Sequence, residues 1–150
     1  MKLRPATAAD IPALALVAER SYRSGFADIL EADLLAARDA RFFAAHFADK
    51  YDRMTVADDG VAIGFLMVSE RHIDMLFVDP AYLAKGAGSR LLAHAEEQGA
   101  RSLECFRDNM QARFFYERHG WRVDRSYERE FAGRCRSFVF YIKEERTKRT

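Results

Sequence analysis

The chain has 150 residues, 49% of them hydrophobic, with 24 Lys and Arg against 23 Asp and Glu and a net charge of +1. That length suits one compact domain with a full-sized core and leaves no room for a second. The balanced charge argues against a nucleic-acid-binding surface, and no run approaches the ~18 apolar residues of a membrane span. A cytoplasmic protein with neither nucleic-acid nor membrane partners is expected.

Met1 to Pro5 reads as a strand rather than a signal segment, and Thr7 to Ser24 as a helix. Pro12 is tolerated in a first turn but not deeper, which favours Asp10 over Thr7 as the cap. Ile11, Leu14, Ala18 and Tyr22 then share one face. Gly25 to Leu30 breaks the pattern. A second helix is predicted from Glu31 to about Asp49, with Leu34, Leu35, Phe42, Phe43 and Phe47 as its apolar set. Residues 53–57 and 61–69 form β-rich runs around the hairpin signal Asp58-Asp59-Gly60, and Ile73 to Val78 is a third such run. A helix from Ser89 to Gln98 ends at Gly99. A strand over 102–106, a helix over 109–119 and a final strand pair, 121–130 and 137–142 about Gly133, complete the chain. The basic tail Lys143 to Arg149 reads as a solvated end. Cys105 and Cys135 have neither metal nor Cys-x-x-Cys spacing and are expected to be reduced, buried, small hydrophobes. His46, His94 and His119 lack ligand spacing, so no metal is expected.

Chemistry concentrates between Ile73 and Ala95. The strand stops at Asp79-Pro80, and the loop Leu83-Ala84-Lys85-Gly86-Ala87-Gly88-Ser89 opens the next helix. Small or missing side chains there leave backbone N–H groups bare at a positive helix end, which binds phosphate. A P-loop needs Lys after its second glycine, and here Lys85 precedes the glycines. A dinucleotide fingerprint needs a third glycine where Leu91 stands.

The loop instead resembles the acetyl-CoA diphosphate loop of the GNAT acetyltransferase superfamily, Gln/Arg-x-x-Gly-x-Gly/Ala, with Gly86 and Gly88 in the glycine positions. Leu83 departs from it, standing where Gln or Arg is usual. Downstream, Asn109, Ala112, Phe115, Tyr116, Gly120 and Trp121 match the family's Asn-x-x-Ala-x-x-Phe-Tyr-x-x-x-Gly-Phe/Trp signature. The resemblance implies an α/β (α+β) fold. Its central, mostly antiparallel mixed sheet is flanked by helices in the order β-α-α-β-β-β-α-β-α-β-β.

It also implies acetyl-CoA as co-substrate, with Leu83 to Ser89 at the phosphates, where the Lys85 and Arg90 side chains are candidates. Leu76, Phe77 and Val78 would pair with pantetheine as if it were another strand, and the amide of Phe77 or Val78 would point at the thioester oxygen. Asn109 would bond the pantetheine arm, Phe115 would border it, and Tyr116 would be the acid that protonates the leaving thiolate. Asp74 is the candidate base and His72 the reserve, since strict alternation puts both on the face of Leu76 and Val78. The first two helices would border the pocket for an amine acceptor. Dimers are common in the family, with the final strand pair a candidate interface. The competing reading is a GNAT-fold module that holds CoA without turnover; the tyrosine at Tyr116 argues against it.

Overall fold

The computed structural model describes residues 1–145. Seven strands form one sheet in the order β1-β2-β3-β4-β5-β7-β6. They are β1 (Lys2–Pro5), β2 (Met54–Asp58), β3 (Ala62–Ser69), β4 (His72–Val78), β5 (Ser102–Phe106), β6 (Arg122–Phe131) and β7 (Arg134–Ile142). Every neighbouring pair is antiparallel except β4 and β5. Helices α1 (Ile11–Gly25), α2 (Ala32–Ala37) and α3 (Ala40–Phe47) precede β2; α4 (Ala87–Glu97) and α5 (Met110–Arg118) flank β5.

Each face of the sheet buries its own apolar set. Leu14, Val17, Ala18 and Tyr22 of α1 and Phe43 and Phe47 of α3 pack on Val56, Phe65, Met67 and Phe138. On the opposite face Leu91, Leu92 and Ala95 of α4 and Tyr116 of α5 meet Ile63, Leu66, Leu103, Trp121 and Tyr141. Phe43 and Phe47 are thus core residues.

Three sequence expectations change. The single helix predicted over 31–49 is two, because Arg38 leaves helical geometry (φ −86°, ψ 58°). Asp39 then starts a fresh helix, its carboxylate accepting from the Phe42 N–H at 2.9 Å, while Glu19 of α1 accepts from the Ala40 N–H at 2.9 Å. Asp10 does occupy the position before α1, but its carboxylate turns back to accept from the Thr7 N–H at 2.8 Å. Lys143 is not a free solvated end, since it bonds the His119 carbonyl and pairs with Glu96 at 3.0 Å. Residues 146–149 of that tail lie outside the described residues.

Asp10 also takes both ends of the Arg4 guanidinium, at 2.8 Å each, and Arg4 reaches Asp58 at 2.9 Å. Hydrogen bonding from Arg4 holds the Asp10 carboxyl well below the usual carboxylate range. A carboxylate depressed in the fold stabilises it above its unfolded pKa, and that stability is lost as pH falls through the folded value. Asp10→Asn is therefore expected to cost about 1 kcal/mol at pH 7, after allowing for solvent screening. Urea denaturation of both proteins should show the difference shrinking below pH 4.

The strand pairing forks in the middle of the sheet. β4 and β5 share two register pairs, His72 with Ser102 and Ile73 with Leu103. Beyond them the strands diverge, and the sheet is open along the last residues of β4.

Candidate active site

The fork opens into a cleft of about 330 Å³ lined by Leu76, Phe77 and Val78 of β4, Leu83, Gly86, Gly88 and Ser89 of the following loop, and Asn109, Ala112, Phe115 and Tyr116 of the second motif. Two sequence motifs separated by a whole strand therefore meet at one site.

Backbone phase decides which strand groups face it. The Asp79 N–H donates to the Ile63 carbonyl at 2.8 Å, and residues two apart on a strand point the same way, so the amides of Phe77 and Met75 are turned into the β3 ladder. The amides of Leu76 and Val78 face the opening. This corrects Phe77 as a candidate amide donor; its ring instead joins the aromatic cluster with Tyr22, Phe26 and Phe65. The Val78 carbonyl is already taken by the Ser21 hydroxyl at 3.3 Å.

At the loop, Gly86 has φ +78°, a left-handed geometry that turns the chain into α4. The first hydrogen bond of α4 runs from the Arg90 N–H to the Gly86 carbonyl at 3.2 Å, leaving the Ala87, Gly88 and Ser89 amides as the open positive end. A Cβ at Gly88 would lie 3.4 Å from the Phe115 ring, an ordinary contact that leaves room for a small side chain. Asp79 fixes the loop entry by accepting from the Ala81 N–H at 3.0 Å and from Arg20 of α1 at 2.9 Å. Leu83 is exposed at the rim. Ala84, Lys85 and Ala87 are not among the lining residues. The ammonium of Lys85 lies 3.9 Å from Asp59, and Arg90 donates to the Met1 carbonyl at 2.6 Å, so both side chains lead away from the loop.

Asn109 does two jobs. Its side-chain oxygen caps α5 by accepting from the Ala112 N–H at 3.3 Å, leaving the amide NH₂ for a ligand carbonyl. Tyr116 is buried against Phe115, Trp121 and Tyr141 and faces the cleft, and its hydroxyl has no hydrogen-bond partner among the described residues. Burial pushes its phenol above the usual value, so it stays protonated.

The two proposed bases stand elsewhere. A bulge falls between the Met67–Met75 and Val68–Ile73 pairs and contains Asp74. The inserted residue breaks alternation, so Asp74 does not share the face of Leu76 and Val78. It is exposed, accepts from the Ser69 hydroxyl, and lies outside the cleft. His72 stacks on Phe140 with ring centroids 6.0 Å apart and accepts or donates a bond to Ser102 at 2.8 Å. The carboxylate at the fork is Glu104, one residue past the last β4–β5 pair, held by Tyr127 and Arg129. Burial raises its pKa, but Arg129 and Tyr127 outweigh this and leave it lowered.

Sequence reasoning also missed Ser21, Ser24, Gly25 and Phe26, through which α1 closes one side of the cleft. Ser21 carried a signal, a polar residue seven positions after Leu14 in the apolar stripe. The cysteines differ from expectation as well. Cys105 is partly buried, with burial pushing its thiol up to about 12, but Cys135 is exposed. Iodoacetamide at pH 8 is expected to alkylate Cys135 and spare Cys105 in the folded protein, as read by peptide mass spectrometry.

The model of the acetyltransferase (GNAT) family matches residues 17–121, from α1 through the second motif. The chain belongs to that family. A peptidyl-lysine N-acetyltransferase, YjaB of Salmonella typhimurium, is 31% identical over 71 residues, which is 47% of this chain and about half, 49%, of the relative's length. The solution structure of apo YjaB from Escherichia coli superposes with a TM-score of 0.77 at 21% identity, over 94% of this chain and 95% of that one. The PaiA N-acetyltransferase of Thermoplasma acidophilum, solved with coenzyme A, gives 0.74 at 18% identity over 95% and 98%. These likenesses establish the GNAT fold. No helix among the described residues is long and apolar enough to cross a membrane.

Proposed function

We propose that this GNAT protein moves the acetyl group of acetyl-CoA onto a primary amine of a small molecule or peptide, by direct transfer in a ternary complex on a single domain. The observation that carries the reading is the convergence of two unpaired strand amides, an open helix N-terminus and a protonated buried tyrosine on one cleft. The Ala87 to Ser89 amides would hold the diphosphate and the Asn109 amide the pantetheine arm. The amide of Val78 or of Leu76, both of which point into the fork, would stabilise negative charge on the thioester oxygen as the amine nitrogen bonds to the carbonyl carbon. As the carbon–sulfur bond breaks, Tyr116 would give its proton to the sulfur. Glu104, the carboxylate near the fork, is held by Tyr127 and Arg129, and its lowered pKa makes it a poor proton acceptor, so solvent would carry the amine's proton away. The lysine-directed activity of YjaB supports an amine acceptor.

Release of free CoA from acetyl-CoA, measured across polyamines, amino acids, aminoglycosides and N-terminal peptides, tests the reading. Acceptor-dependent release is expected. Tight acetyl-CoA binding with no turnover on any acceptor would favour the CoA-holding module instead.

A further inference from the structure

Among the described residues the wall of the cleft carries one charged side chain, Arg118 in the last turn of α5, and no carboxylate. The loop brings no cation of its own to the cleft, since Lys85 turns to Asp59 and Arg90 to the Met1 carbonyl. Leu83 offers no hydrogen bond from its side chain. Arg118 is exposed, and its guanidinium has neither an ion pair nor a hydrogen bond among the described residues. All of its N–H donors are therefore free for a ligand.

Its neighbours fix where it stands. The first turn of α4 and the last turn of α5 meet, Gly88 against the Phe115 ring and the Ser89 hydroxyl 3.0 Å from Nε2 of His119. Nδ1 of His119 lies 2.7 Å from the Phe115 carbonyl, which can only accept, so Nδ1 carries a proton and Nε2 of the neutral ring accepts from Ser89. The Ser89 hydroxyl thus ties the two helices together while its backbone N–H stays at the open end of α4. Arg118, one residue before His119, stands beside that end. The same turn is the negative end of α5, which alone would repel a phosphate. Lys143 takes the His119 carbonyl, and Arg118 adds a second cation there.

We infer that Arg118 holds a phosphate of coenzyme A from the α5 side, alongside the Ala87 to Ser89 amides. The inference rests on the CoA-binding part of the reading above and adds the charged residue which that reading lacks. A guanidinium presents paired N–H donors that fit two phosphate oxygens at once.

Calorimetry on the dialysed protein tests this with CoA and with dephospho-CoA, which lacks the 3′-phosphate. Arg118→Gln should weaken CoA binding about 10-fold, the lower end for a hydrogen bond between charged groups because the side chain is exposed. The loss should shrink as salt rises from about 0.05 to 0.5 M. Arg118→Lys keeps the charge without the fork and should fall between the two. Arg41→Gln removes an exposed charge on α3, off the cleft wall, and should bind as the parent protein does. A loss confined to CoA assigns Arg118 to the 3′-phosphate, and a loss shared by dephospho-CoA assigns it to the diphosphate. Affinity for CoA within about twofold of the parent in Arg118→Gln, or an equal loss in Arg41→Gln, would overturn the inference while leaving the acetyltransferase reading standing. Absence of CoA binding in the parent protein would remove that reading and the inference with it.

Discussion

Tyr116→Phe is expected to lower acetyl transfer by about 100- to 10,000-fold, the range for a positioned acid, with little change in the denaturation midpoint. The two halves of that expectation have separate grounds. The ring packs on Phe115, Trp121 and Tyr141, and phenylalanine preserves those contacts. The hydroxyl has no partner to lose among the described residues, so its removal orphans no buried group there. What disappears is the proton, which burial keeps on the phenol beyond the ordinary tyrosine range. Steady-state CoA release and urea denaturation on the same preparation separate the effects. A variant that turns over normally would assign the sulfur's proton to solvent.

Gly86→Glu is expected to weaken CoA binding on the order of 100-fold by calorimetry. Nothing lies within 4 Å of a Cβ built there, so packing does not object. The left-handed backbone at φ +78° costs an L side chain about 1–2 kcal/mol, and the new carboxylate sits at the positive end of α4, where the diphosphate would bind. Gly86→Ala isolates the backbone part. It should lose stability but retain most of the CoA affinity, and equal losses in both variants would remove charge from the account.

Strand and helix order, the hairpin at Asp58 to Gly60 and both motifs were legible because each depends on short-range chemistry. Two features were not. The Asp74 bulge depends on how β4 registers against β3, and a strict period of two cannot announce an inserted residue. The break at Arg38 depends on a tertiary bond, Glu19 accepting from the Ala40 N–H, although Asp39 carried the local signature of a cap. At the site, the loop and Asn109 to Tyr116 were read from their spacing, whereas Ser21 and Phe26 are brought in by the docking of α1. Gly64 drew no notice either, yet a Cβ there would stand 2.8 Å from the Phe77 carbonyl oxygen, on the strand that forms the fork.

The two-pair contact between β4 and β5 has a kinetic signature in amide hydrogen exchange. Met75 and Phe77 bond into the β3 ladder, so their amide protons wait for the strand to open, whereas Leu76 and Val78 have no strand partner on the fork side. Along four consecutive residues, protection should alternate slow, fast, slow, fast. A ligand lying in the fork as an added strand would slow the two fast amides and leave their neighbours as they were. Residue-resolved exchange, with and without CoA, would therefore report occupancy of the fork even where no acceptor is turned over.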